Sequence, residues 1–162
     1  AAGLFPHVIK RFHGAYPRIN LSLHDVLAEQ INQMVREGRA DLGLSVPPSD
    51  ADDLTFEPVL EDSYVAVCPC GHPLLTQSAV AWSQLDILCD ARQIATVGRM
   101  VAAGLGISVL PSLSFRQIAT DGIEHRPLVE PTIRRELGII LSRRHPPSAA
   151  ASALRQLIHD HP

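Results

Sequence analysis

Residues 19–46, INLSLHDVLAEQINQMVREGRADLGLSV, decide the fold class. Ile19, Leu21 and Leu23 alternate with polar residues, which is the two-residue period of a strand with one covered face. A stripe of apolar residues at helical spacing follows and ends at Gly38, and DLGLSV is typical of a short buried strand. A strand, a helix and a second strand make the smallest crossover unit of a parallel sheet. The first part of the chain is therefore predicted to be α/β.

The same alternation of helix and strand continues to the end of the chain. Helices are predicted where apolar residues recur at helical spacing, at 4–15, 92–103 and 148–159. Strands are predicted at YVAVC, ILCDA, ISVL, IEHRPL and LGIIL, which begin at residues 64, 87, 107, 123 and 137. A short helical turn is predicted at AWSQL, and no internal repeat is present.

Composition excludes several classes of function. The net charge of −3 and the pI of about 6.2 leave no basic footprint for nucleic acid or an anionic membrane, so DNA binding would need another domain. No apolar run approaches a membrane span, and the first residues lack the pattern of a signal peptide. Three cysteines, an odd number, fit reduced thiols in a cytoplasm.

The stretch CPCGHPL at 68–74 raises the question of a metal or redox site. Cys68, Cys70 and His72 are ligand types that zinc prefers, but a structural site needs four ligands and wider cysteine spacing. One residue between two thiols strains an intramolecular disulfide, and the third cysteine, Cys89, is remote in sequence. We therefore expect no bound metal and no cofactor here, and free cysteines that act as small apolar side chains.

Catalytic motifs are missing from the sequence. There is no GxSxG, HExxH or P-loop motif, and the glycines at 104–106 are followed by no third glycine. The acidic runs at 50–53 and 61–63 are interpreted as solvated loops and not as paired carboxylates. The prediction is that the chain is not an enzyme.

Five segments in order resemble the effector-binding domain of LysR-type transcriptional regulators. They are FPHVIKRFHGAYPRINLSLHD, REGRADLGL, LTFEPVLEDSYVAVCPCGHPL, VAAGLGISVLP and RRELGIILSRRHPPSAAASALRQLI. The resemblance covers almost the whole chain. It implies two Rossmann-like α/β subdomains of the type 2 periplasmic-binding-protein kind, joined by two crossing strands, with a small-molecule effector in the cleft between them. It makes HPL the opening of the second subdomain, so His72 is expected to satisfy backbone groups at a turn.

The resemblance also sets the expected domain organisation. Residues 1–162 form one effector-binding domain, with subdomain I at about 1–67 and 112–162 and subdomain II at about 68–111. One crossing segment is expected at 65–68 and the other near 110–113. A DNA-binding domain is implied on the N-terminal side, outside this chain, so DNA would be bound only through it. A homodimer or tetramer is implied, in which the first helix of one copy packs on the helix before VAAGLG of another.

The second subdomain is too short on this interpretation. Only Asp86 separates AWSQL from ILCDA, which leaves few elements to bury a core. Either this lobe is reduced to little more than a strand and a helix, or the sequence runs across an omitted segment between Asp86 and Ile87. We favour the second explanation.

The expected ligand site follows from the fold, because crevices in open α/β sheets lie at the carboxyl ends of strands, near helix N-termini. This rule selects Leu27, Ala28, Ser45, Val46, Gln93 and Ile94 as ligand-binding residues, with Arg92, Arg99 and His24 as cationic candidates. The family often has serine or threonine where this chain has Ala28, which weakens the case for a carboxylate bound in the usual way.

Three functions are compared on this basis. The first is the ligand-sensing regulatory domain of a cytoplasmic transcription factor, which is the prediction. The second is a periplasmic-type solute-binding protein, which shares the fold but is disfavoured by the missing signal sequence and the odd cysteine count. The third is a small α/β enzyme, for which no nucleophile or metal site is found.

Overall fold

A computed structural model of the chain describes residues 5–50, 52–85, 94–115 and 121–160. Its helices are α1 (Phe5–Ala15), α2 (Ala28–Arg36), α3 (Ile94–Ala102), α4 (Ser112–Phe115) and α5 (Ala149–Asp160). Its strands are β1 (Gly43–Ser45), β2 (Leu54–Pro69), β3 (Val80–Ala81), β4 (Ser108–Pro111), β5 (Ile123–Val129) and β6 (Arg134–Ser142). Short 3₁₀ turns lie at Pro73–Thr76 and Trp82–Gln84.

The chain divides into two compact units. Unit 1 comprises 1–61 and 136–162, and unit 2 comprises 62–135. The strands follow the order β1-β6-β2-β5-β3, with β4 also paired to β2. The chain passes from one unit to the other along β2 and along β6, so the prediction of two crossing strands is confirmed.

Unit 1 has helices on both faces of its strands. In β6, Ile139 and Leu141 pack with Val8 of α1 and Leu154 of α5, whereas Ile140 packs on the other face with Val35 of α2. This division follows from the two-residue period of a strand, which sends successive side chains to opposite faces. The predicted helices at both ends of the chain are thereby confirmed, and each buries its apolar stripe in this core.

The predicted strand at 19–23 is wrong. The segment has no regular secondary structure, and Ile19 and Leu21 pack partly against the unit 1 core, but Leu23 is 60% exposed. Within the described residues, no neighbouring strand pairs with it, and β1 pairs antiparallel with β6 instead. The alternation records which side chains face the core, while a strand also needs a partner for its backbone groups.

Unit 2 is built on the second half of β2. Its residues pair antiparallel with β4 on one side and with β5 on the other, and β3 lies parallel to β5. Val65 and Val67 face α3, while Ala66 faces the opposite side, where Trp82 and Leu128 pack. The predicted strands ISVL and IEHRPL are confirmed, as is the helix before VAAGLG.

The unit boundaries differ from the expected ones. They lie at 61–62 and 135–136, whereas the sequence placed them near 67–68 and 111–112. The second crossing is β6 and not 110–113, because β4 and β5 both pair with β2 and so keep residues 108–129 in unit 2. The strand predicted at YVAVC is also longer than expected, since β2 begins at Leu54. The predicted strand ILCDA and the Asp86–Ile87 bond lie outside the described residues.

Candidate functional site

The N-terminus of α2 has no side-chain cap among the described residues. Its N-cap residue is Leu27, whose side chain has no acceptor for the amides of the first turn. The backbone N–H of Leu27 itself donates to Oε1 of Gln30 at 3.2 Å. Leu27 is 52% exposed and Ala28 is half-buried. The positive end of the helix dipole is therefore open to a polar ligand, with an apolar side chain beside it.

Ser45 is the last residue of β1 and is 7% exposed. Its backbone pairs with Gly138 of β6. No hydrogen bond joins its hydroxyl to another residue in the part of the chain that the structure describes. Val46, which follows it, is half-buried. Among the described residues, the buried side-chain oxygen without a hydrogen-bond partner is Oδ1 of Asn32 on α2, so the Ser45 hydroxyl keeps some exposure to solvent or to a ligand.

Gly43 sets how closely α2 and β1 pack. A Cβ atom at this position would collide with the side chain of Ile31 and would lie 3.3 Å from that of Val35. Only six residues connect α2 to β1, so the strand runs back along the helix toward its N-terminus. Four of the predicted residues, Leu27, Ala28, Ser45 and Val46, thus lie in unit 1, at or next to the start of α2 and the end of β1.

Of the two remaining predicted ligand-binding residues, Ile94 lies in unit 2 and Gln93 lies outside the described residues. Ile94 begins α3 in unit 2, where it is half-buried and packs against the core of that unit. Gln93 and Arg92 lie outside the described residues. Of the cationic candidates, Arg99 is exposed on α3, and His24 is exposed with its Nε2 atom 3.2 Å from the Ser22 hydroxyl.

CPCGHPL is a strand end followed by a turn. Cys68 is buried in β2, and burial raises the pKa of its thiol, with a smaller opposing effect from Arg126. Cys70 is exposed, and Cys89 lies outside the described residues. His72 caps the 3₁₀ turn, its Nδ1 accepting from the Leu74 backbone N–H at 3.2 Å, as expected. No group of three metal-ligating side chains is found within the described residues.

Asp62 was misassigned from sequence. It was interpreted as part of a solvated acidic loop, but it lies within β2 and its side chain is 1% exposed. Its carboxylate accepts hydrogen bonds from Arg135 and from two backbone amides. The nearby alternation of YVAVC, extended back past Pro58, was the pattern that could have placed it on a strand.

A shallow depression in unit 2 is lined by Phe115, Ile123, Glu124, His125 and Arg126. Arg126 donates to the backbone carbonyls of Leu75 at 2.7 Å and of Gln77 at 3.0 Å. Its guanidinium therefore holds the first 3₁₀ turn and the residue that follows it. We do not assign the ligand site to this depression.

Comparison with known proteins identifies relatives of this chain. A family model described as the LysR substrate binding domain matches residues 1–88 and 84–162. An uncharacterised HTH-type transcriptional regulator, YfeR of Shigella flexneri, is 28% identical over 193 residues, covering 99% of this chain and 61% of that protein. This chain therefore spans less than two thirds of that relative's length.

Solved structures share the fold. The regulatory domain of CcmR from Synechocystis PCC6803, in complex with 2-PG, has a TM-score of 0.87 at 19% identity, covering 99% of this chain and 91% of that one. The reduced OxyR regulatory domain from Pseudomonas aeruginosa has a TM-score of 0.82 at 22% identity, covering 96% and 90%. The predicted α/β fold of the type 2 periplasmic-binding-protein kind is thereby confirmed.

The comparisons also bear on the length of this chain. The two segments matched by the family model meet at 84–88. The alignment with YfeR covers 193 residues, 31 more than the 162 here, so the relative carries residues that this chain lacks. The two matched segments thus meet next to Asp86, where the sequence has too few helices and strands for the second subdomain. Separately, no described helix is long and apolar enough to cross a membrane.

Proposed function

The chain belongs to the LysR substrate-binding-domain family, and from this premise we propose that it is the ligand-sensing regulatory domain of a LysR-type transcription factor. In this proposal it binds a small-molecule effector and catalyses no reaction. DNA is bound by a separate domain of the longer protein, which acts in the cytoplasm. The net charge of −3 supports that division, since a chain with an excess of negative charge is repelled by the phosphate backbone of duplex DNA.

The observation that carries the ligand-binding proposal is the N-terminus of α2, where the N-cap side chain makes no hydrogen bond to the first turn, together with Ser45 at the end of β1 in the same unit. Backbone N–H groups at a helix N-terminus donate to anionic or strongly polar groups. Because Ala28 has no hydroxyl, the ligand must rely on these amides and on Ser45. Leu23 and Leu27, both more than half exposed, provide apolar contact next to them. An effector with a polar head and an apolar body fits this set of groups.

A thermal-shift screen of the 162-residue chain tests the proposal. The compounds are aromatic acids, amino acids and other metabolites, with 2-PG included because the CcmR regulatory domain is complexed with it. A ligand at a hundredfold excess over its dissociation constant should stabilise the fold by about 2.7 kcal/mol. The proposal fails if no compound stabilises the protein, or if the isolated chain binds duplex DNA with steep salt dependence.

For the assembly we propose a homodimer that uses α1 and α3. Val8 and Phe12 of α1 are fully buried in the core of their own unit and Ile9 is half-buried, so little of the apolar stripe remains for a partner. Both helices lack acidic residues, and they expose Lys10, Arg11 and Arg99. The dimer proposal therefore rests on membership of the family and not on an exposed apolar stripe of α1, and it makes the exposed Ala95 of α3 a contact position. Ala95→Arg should dissociate the dimer. Sedimentation of the wild-type chain as a monomer at micromolar concentration, with no change on Ala95→Arg, would contradict it.

A further inference from the structure

The exposed face of α1 carries positive charges that have no partner. Lys10 and Arg11 lie on that face and are exposed, and so is Arg18, just after the helix. None of the three side chains forms an ion pair or a hydrogen bond with another residue that the structure describes. The sequence has no aspartate or glutamate before Asp25, so no acidic neighbour along this part of the chain neutralises them.

Other exposed arginines of unit 1 do have carboxylate partners. Arg39 lies 2.6 Å from Glu37, and Arg144 lies 2.7 Å from Asp53. The side chains of Arg39 and Arg144 are 55% and 67% exposed, so exposure alone does not explain why the cations of α1 lack partners. An exposed ion pair adds little stability, but it cancels the local field. The face of α1 therefore keeps its full charge.

The face of α3 that the proposed dimer uses is also basic. The contact position Ala95 is followed one helical turn later by Arg99, and residues four apart on a helix share a face. Both residues are exposed, and the Arg99 side chain has no ion pair or hydrogen bond within the described part of the chain. The sequence has no aspartate or glutamate at 91–120. A dimer that covers Ala95 therefore brings Arg99 to the contact.

On the other side of that contact, α1 cannot turn its cations away. Val8 and Phe12 are 2% and 0% exposed in the core of unit 1, so a partner meets the opposite face of the helix. That face carries Lys10 and Arg11. The two helices then present like charges to each other, and neither supplies a carboxylate. The repulsion between them grows as water leaves the contact, because the effective dielectric constant falls.

We infer that a multivalent oxyanion, such as phosphate or sulfate, holds the dimer by binding between Lys10 and Arg11 of one copy and Arg99 of the other. This inference rests on the dimer of α1 and α3 proposed above. An oxyanion accepts several hydrogen bonds at once, and guanidinium groups donate to it in pairs. One anion thus turns repulsion between the helices into attraction on both sides. Because its donors come from two copies, anion binding and dimerisation are linked.

Sedimentation equilibrium of the 162-residue chain measures this linkage. The dimer dissociation constant is compared in sodium chloride, sodium sulfate and sodium phosphate at one ionic strength, so that general screening is the same in all three. Chloride, with a single charge, is the matched control. Sulfate and phosphate should each lower the dissociation constant by about tenfold or more relative to chloride, as expected for one hydrogen bond to a charged group.

Variants separate a bound anion from the general effect of sulfate, which strengthens apolar burial in any protein. The double variant Lys10→Gln, Arg11→Gln removes both the donors and the repulsion. It should form a tighter dimer in chloride than the wild type does, and it should lose the difference between sulfate and chloride. Arg39→Gln changes an exposed arginine that already has a partner, so it should keep the wild-type response. If the double variant does not fold, Arg99→Gln removes the donor on α3 and should act in the same way.

The possible contrary results have different meanings. A wild-type dimer that is equally strong in all three salts would leave the dimer standing but would overturn the bound anion. A sulfate response that survives in the double variant, or in Arg99→Gln, would overturn it too, because the response would then be a general effect of the salt. A monomer in every buffer would overturn the α1–α3 dimer itself, and the anion site with it.

Discussion

Gly138 of β6 lies directly against the backbone carbonyl of Glu57 in β2. A Cβ atom at this position would collide with that oxygen and would stand 2.7 Å from Cζ of Phe56. A phenyl ring can turn aside, but a strand carbonyl cannot move without disturbing its neighbours. The close contact of these two strands therefore requires glycine here.

Replacing Gly138 by alanine should destabilise unit 1. Overpacking of a tight core costs about 1–3 kcal/mol, which lowers the melting temperature of a domain of this size by roughly 3–10 °C. Thermal unfolding followed by circular dichroism measures the effect. Gly14→Ala is the matched control, because Gly14 is exposed on α1 with no atom within 4 Å of a Cβ. That change should stabilise the helix by about 0.5–1 kcal/mol, and a similar loss in both variants would contradict the prediction.

Glu57 should make the stability of unit 1 depend on acid pH. Burial alone would raise the pKa of Glu57, but hydrogen bonds and charges from Arg155 and His159 outweigh it and lower the pKa. Arg155 binds the carboxylate through two nitrogens, at 2.7 and 2.6 Å. A carboxyl whose pKa is lower in the folded state stabilises the fold above its unfolded pKa of about 4.3. That contribution is lost as the pH falls through the lower, folded pKa.

Urea titrations between neutral pH and about pH 3 measure this dependence. The wild-type protein should lose stability in the acid range, and Glu57→Gln should be less stable at neutral pH but lose less on acidification. Arg155→Gln removes the main donor and should flatten the profile in the same way. Profiles for both variants that parallel the wild type would show that Glu57 is not responsible.

Helices and strands could be predicted from the sequence where the pattern of side chains is compatible with only one kind of structure. Ile139, Ile140 and Leu141 are apolar on both faces because helices cover both sides of β6, and their continuous apolar run predicted a buried strand. The alternation at 19–23 was misinterpreted, because it reports burial of side chains and says nothing about backbone pairing. Long-range pairing of β2 with β4 and β5 determined the unit boundaries, and no local pattern encodes it.

Part of the candidate site could also be predicted from local patterns in the sequence. Leu27 and Ser45 were selected by a rule about strand ends and helix starts, which depends only on local order along the chain. Asp62 was missed because the sequence alone does not distinguish a buried aspartate from an exposed one until its partner is known. Arg135 lies 73 residues away along the sequence, so their pairing is a property of the fold.

The two described cysteines should differ in reactivity. Cys70 is exposed, whereas Cys68 is fully buried and its thiol has a raised pKa caused by that burial. Thiolates are the reactive species, so Cys68 should react with an aromatic disulfide reagent only after unfolding. Cys70→Ser should remove a fast phase of thiol release from the native protein, while Cys68→Ser should retain it. A fast phase that survives Cys70→Ser and disappears in Cys68→Ser would contradict the assignment.

Ser45 should contribute to ligand affinity without being needed for the fold. Ser45 is 7% exposed and its hydroxyl has no hydrogen-bond partner among the described residues, so Ser45→Ala removes no protein hydrogen bond, whereas a bulky substitution would disturb β1. Loss of one ligand hydrogen bond costs about 0.5–1.5 kcal/mol, which corresponds to a dissociation constant weaker by up to about tenfold. Isothermal titration with a compound from the thermal-shift screen measures it. Ser49→Ala, at an exposed position of the following loop, should keep the wild-type affinity. If Ser45→Ala binds as tightly as Ser49→Ala while both retain the wild-type melting temperature, the ligand does not contact Ser45 and the site must be sought elsewhere.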